Sequence, residues 1–168
     1  ATCTITNDDI GPVLTLVKTV TDTSGGASTV PSFTLTAAGP VTISGITASP
    51  AVTSATVSAG TYVLSETGPV GYAADAWSCT AGTLTGNSLV LALGQTATCT
   101  INNIRLPTLT IQKISNGGTG AFGFSGTNGV PTQTITTTAV GGTFTGSTAT
   151  LTAAGAATDV TETMPAPF

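Results

Sequence analysis

Along this chain apolar residues recur at every second position far more often than at every third or fourth. The first clear case is LTLVKTV at 14–20, where the even positions read Leu14, Leu16, Lys18 and Val20. Successive side chains of a strand point to opposite faces, so these four share one face. Alternation or β-branched enrichment also covers 32–37, 40–46, 51–58, 61–67, 73–79, 88–93 and 97–104, with the first run taken as 13–20. Gly, Pro, Asn and Ser interrupt the runs. No stretch keeps a 3.6-residue apolar period long enough for a helix. The pattern predicts an all-β chain, with about seven or eight short strands per 95 residues or so, the size of a Greek-key β-sandwich.

The pattern also repeats. ATCTITNDD (1–9) returns as ATCTINNIR (97–105), PVLTLVK (12–18) as PTLTIQK (107–113), and LSETGPVGY (64–72) as VTETMPAPF (160–168), at offsets of 95 or 96 residues. Self-similarity at a fixed period marks a tandem array of one structural unit. The expected division is 1–10 as the last strand of a preceding repeat, 11–106 as one complete repeat, and 107–168 as a following repeat that lacks its last hairpin. Two explanations of the open repeat stand side by side: a window on a longer continuous chain, or completion by strands from a neighbouring molecule. The junctions NDDIGP and NIRLP are short and contain proline, which predicts stiff linkage between successive domains.

Composition narrows the function. Charged residues make up 6% of the chain, threonine is its commonest residue, and the net charge is −4 with no basic run. Nothing here grips a polyphosphate, so nucleic acid is not an expected partner. No run of about 18 apolar residues occurs, which leaves no membrane-spanning helix. Histidine is absent, and with it the commonest general base and metal ligand. GGTGAFG (117–123) lies between strand-like runs with no helix after it and reads as a turn, not a phosphate loop. Neither a cofactor nor a turnover enzyme is expected. Asp8 and Asp9 at the first junction have no counterpart at the second, Ile104-Arg105, so no metal site is assigned. Asp22 and Asp75 read as turn residues.

The sparse charges sit where charges rarely do. The two lysines, Lys18 and Lys113, occupy equivalent places, as do the two glutamates, Glu66 and Glu162. Lys113 shares its face with Leu109 and Ile111, Glu66 with Tyr62 and Leu64, and Glu162 with Val160. An asparagine completes the set: Asn103 shares a face with Cys99 and Ile101, and Asn7 with Cys3 and Ile5. Lysine and glutamate are almost never fully buried unless paired. One reading is a buried Lys–Glu ion pair with an attached asparagine, and such pairs add little stability. The other uses the same desolvation cost: burial pushes a lysine toward its neutral, nucleophilic amine and a glutamate toward its acid form. The amine can then attack the asparagine side-chain carbon, release ammonia and leave an isopeptide bond. That event is single-turnover and self-directed, and it needs no histidine.

These residues resemble a known family. The lysine of LTLVK, the YVLSETGPVGY stretch (62–72) and the closing TCTINN strand are similar to the collagen-adhesin B-type, prealbumin-like (transthyretin-like) domain, across 12–105. The resemblance implies tandem β-sandwich repeats of the prealbumin-like or immunoglobulin-like kind in the stalk of a bacterial surface adhesin or a pilus shaft. It further implies that Lys18 is joined to Asn103 with Glu66 as the acid. Lys113 and Glu162 would then serve an asparagine of a following segment, and Asn7 the lysine of a preceding repeat. The cysteines depart from the simplest family pattern. Cys79 and Cys99 frame a hairpin-like segment and read as a disulfide, with Cys3 bonded to an upstream cysteine. A disulfide places the chain in an oxidising, cell-surface or extracellular setting. The expected role is a structural repeat whose partners are neighbouring repeats, other copies in a filament, and a host or environmental surface reached through other domains. A module that binds carbohydrate or host protein, and a filament subunit completed by a neighbour's strands, are the alternatives.

Overall fold

The computed structural model describes residues 1–5, 8–22 and 29–164. The chain divides into two compact units, Ala1–Ile104 and Arg105–Phe168. In the first unit the strands are β1 (Val13–Thr21), β2 (Thr34–Ala38), β3 (Ile43–Gly45), β4 (Ala55–Thr56), β5 (Gly60–Thr67), β6 (Tyr72–Ala74), β7 (Ser78–Cys79), β8 (Thr83–Thr85), β9 (Ser88–Leu91) and β10 (Thr96–Arg105). They form two five-stranded sheets. One runs β4-β1-β10-β6 with β7 also on β10, and the other runs β3-β2-β5-β9-β8. A 3-10 turn at Val30–Ser32 enters β2.

The alternation seen in the sequence is what closes the sandwich. Leu14, Leu16, Leu35, Ala37, Tyr62, Leu64, Leu89, Leu91, Ala97, Cys99 and Ile101 all point inward and form one core. Each large aliphatic side chain removed from water contributes about 1.5–3 kcal/mol. Tyr62 is fully buried and its hydroxyl donates to the Ser58 carbonyl at 2.7 Å. Within the first sheet, β1 and β10 lie side by side and parallel, in unbroken register from Val13↔Thr96 to Thr21↔Ile104.

Three segments differ from the alternation-based expectation. Residues 51–58 form only the two-residue β4, because Ser54 takes a left-handed φ of 52° and the chain turns there. That turn lets Val52 and Val57, which are five residues apart, both enter the core. The run 73–79 is split between β6 and β7. Thr83–Thr85 is an additional strand, paired with β9 through a turn at Gly86-Asn87, where Gly86 has a φ of 61°.

The second unit holds β11 (Thr108–Ile114), β12 (Gly120–Gly126), β13 (Gln133–Thr137), β14 (Thr143–Thr150) and β15 (Val160–Thr163). β11 pairs with β14, and β12 lies between β13 and β15. Phe122, Phe124 and Ile135 form its core, with Ile111 and Phe144 packed against them.

Candidate functional site

Lys18 belongs to β1, Glu66 to β5 and Asn103 to β10, and all three turn into the first unit. The Lys18 side chain is fully enclosed, and its Nζ lies 2.9 Å from Glu66 Oε2. The contact is an ion pair between the enclosed amine and a largely buried carboxylate. Nζ also donates to the Ile101 carbonyl at 3.5 Å, the outer limit for such a bond. Burial lowers the Lys18 pKa, while the Glu66 contact and the charges of Glu66 and Asp75 oppose that shift. Burial prevails because an ammonium in a low-dielectric interior loses its hydration.

The register explains the third residue. Lys18 stands opposite Ile101, and Val20 stands opposite Asn103, on adjacent parallel strands. Asn103 is 4% exposed, and among the described residues its Oδ1 has no hydrogen-bond partner. A buried carbonyl left without a donor costs about 1–3 kcal/mol. Unsatisfied groups of this kind are few in folded proteins and call for a specific reason.

Phe33, which alternation alone does not single out, forms the wall of the site. Its ring centroid is 4.7 Å from Lys18 Nζ. Tyr72 packs edge-on against that ring, with centroids 5.4 Å apart and planes at 89°. Gly68 presses against the same ring, where a Cβ would overlap it. The segment 62–72 therefore has a physical reading residue by residue. Tyr62 and Leu64 fill the core and Glu66 meets the lysine. Gly68 admits Phe33, Gly71 turns the chain with a φ of 85°, and Tyr72 braces the ring. The second unit has a counterpart of Phe33: Phe122 lies within β12, and Lys113 Nζ is 4.2 Å from its centroid.

In the second unit Lys113 and Glu162 form the corresponding pair at 2.6 Å, with the side chains 17% and 33% exposed. Asn7 lies outside the described residues. Cys79 and Cys99 are joined by a disulfide across directly opposed positions of β7 and β10. Cys3 is exposed and a free thiol. Among the described residues no cluster of three His, Cys, Asp or Glu could hold a metal ion.

Two family models match the chain, each described as a prealbumin-like fold domain, one over residues 9–101 and the other over 109–168. The chain belongs to the prealbumin-like fold domain family of the SpaA type. No curated protein and no solved structure matches it. Domains of this type are structural repeats of pili and adhesins, not enzymes. They assemble with other pilin repeats or subunits and are typically surface-exposed.

Proposed function

We propose that the chain is a tension-carrying repeat of an extracellular bacterial fibre or adhesin stalk, locked by a bond that it makes within itself. The bond joins Lys18 Nζ to the side-chain carbon of Asn103. A proton passes from Lys18 to Glu66 and the free amine attacks the Asn103 amide carbon. Glu66 then gives that proton to the departing nitrogen and takes the second proton from the attacking one, so that ammonia leaves and Glu66 ends as the acid. One C–N bond forms, one breaks, and one ammonia leaves, with no oxidant or reductant needed. The observation that carries this reading is the unpartnered Asn103 Oδ1, buried on the strand beside a lysine whose pKa burial has lowered. Unreacted, the site holds a desolvated ion pair costing several kcal/mol per ion and a stranded carbonyl. Condensation removes the charge on Lys18 and leaves a neutral amide.

By the same reading Lys113 and Glu162 serve an asparagine of a neighbouring segment, and Asn7 and Cys3 serve a neighbouring repeat. Intact mass under reducing conditions tests the first unit. The wild-type chain is expected one ammonia lighter than its sequence mass, and Lys18→Ala, Glu66→Ala and Asn103→Ala at full mass. A wild-type chain that keeps its ammonia overturns the reading.

A further inference from the structure

β10 carries two consecutive asparagines, and only one can face Lys18. Its inward file is Ala97, Cys99, Ile101 and Asn103, and its outward file is Thr96, Thr98, Thr100 and Asn102. A one-residue slip would reverse the two files and is opposed by burial of the whole apolar face. A two-residue slip is different. It keeps apolar residues inside and threonines outside, so the hydrophobic pattern hardly resists it. Yet it carries Asn103 about 7 Å along β1, out of its place opposite Val20. Something other than the alternation must hold the register.

Two contacts do so. One is the Cys79–Cys99 disulfide, which ties β10 to the two-residue β7. The other is Asn102, which ties β10 to the very strand that bears the lysine. Asn102 Oδ1 accepts hydrogen bonds from Thr19 Oγ1 at 3.0 Å and Thr21 Oγ1 at 3.2 Å. Its Nδ2 donates to Asp75 Oδ2 at 2.9 Å, and its carbonyl accepts from the Asp75 N–H at 2.8 Å. A threonine of the outward file would gather acceptor and donor on one oxygen next to Cβ, whereas the asparagine amide carries its acceptor and its donor on two separate atoms that reach β1 and Asp75 independently.

We propose that Asn102 is a positioning residue for the Lys18–Asn103 condensation: its outward clamp on Thr19, Thr21 and Asp75 selects the one register that brings Asn103 to the lysine. This rests on the crosslink reading above. Asn102 touches none of the reacting atoms and acts through the strand.

The test follows ammonia loss over time by reduced intact mass after cell-free synthesis under oxidising conditions. Asn102→Asp sets a carboxylate against Asp75 and is expected to crosslink about tenfold more slowly, in keeping with a charge-assisted contact turned repulsive. The reciprocal pair Asn102→Asp/Asp75→Asn restores a donor facing an acceptor and is expected to recover the wild-type rate. A purely structural defect would not be repaired by that exchange. Disulfide content and peptide mapping of the Lys18–Asn103 link accompany each protein. If Asn102→Asp fails to fold, Asn102→Thr, which removes the clamp but continues the threonine file, replaces it with the same expected slowing. Wild-type rate in the single variant, or a double variant as slow as the single, overturns the clamp while leaving the crosslink intact. A wild-type chain that never loses ammonia overturns both.

Discussion

At the scale of single residues the deciding group is Lys18, because its protonation separates a reactive site from a static ion pair. Its pKa is lowered in the folded chain. Between that lowered value and the ordinary lysine value of 10.5 the unfolded chain binds the additional proton. Stability must therefore rise with pH across that window, and fall as pH drops through it. The effect belongs only to chains in which the amine is free. Urea midpoints of Asn103→Ala are expected to climb as the pH rises toward 10.5, relative to Lys18→Met/Asn103→Ala, where no amine titrates at that position. Equal slopes for the two proteins would show that Lys18 is not held in the interior. Phe33 offers a second handle at this scale. Gly68→Ala places a methyl where the ring now lies. The ring must then move off the lysine, and the variant is expected to lose about 1–3 kcal/mol, the range for overpacking a filled interior, as read by thermal melting.

At the scale of elements, β10 does most to define the first unit, and it can be probed from its disulfide. The bond closes a separation of 20 residues, for which the chain-entropy model gives about 3 kcal/mol. Cys79→Ala/Cys99→Ala is expected to lose roughly that amount in denaturant midpoints, with the register of β10 held by Asn102 alone. β10 was also the most legible element. Its alternation is strict, and so is that of β1 and β5, which is why the inward parity of Lys18, Glu66 and Asn103 could be read without coordinates. Residues 51–58 were read too simply, since a left-handed Ser54 reverses the parity that a straight strand would keep. Thr83–Thr85 shows no period, because three residues, one of them apolar, are too few to carry one. The contacts that Phe33, Asp75 and the Ile101 carbonyl make at the site are not given by alternation. These groups join the site through contacts between strands distant in sequence, and alternation records only which face a residue takes, not which neighbour it meets.

At the scale of the whole unit, the parallel pairing of β1 with β10 sets the mechanical behaviour. Tension applied along the chain would enter β1 at Val13 and leave β10 at Arg105. Because these strands are adjacent and parallel, the two points of loading lie at opposite ends of one strand pair. The force then runs along the strands, and their backbone hydrogen bonds are sheared together instead of opening one at a time. A Lys18–Asn103 bond would bridge this same pair, so the load would pass through covalent bonds and the chain between them could not lengthen. Single-molecule pulling separates the cases. The Asn103→Ala chain is expected to show a discrete extension as the chain between Val13 and Arg105 unravels, of roughly 200 Å at about 3.4 Å per residue, because the Cys79–Cys99 disulfide keeps the residues it encloses from being drawn out. The wild-type chain should lack that step, because only the short segments outside residues 18–103 can be drawn out. If the full extension occurred in the wild type, β1 and β10 would be joined by hydrogen bonds alone, and the stiffness of the repeat would depend on shear geometry and the disulfide.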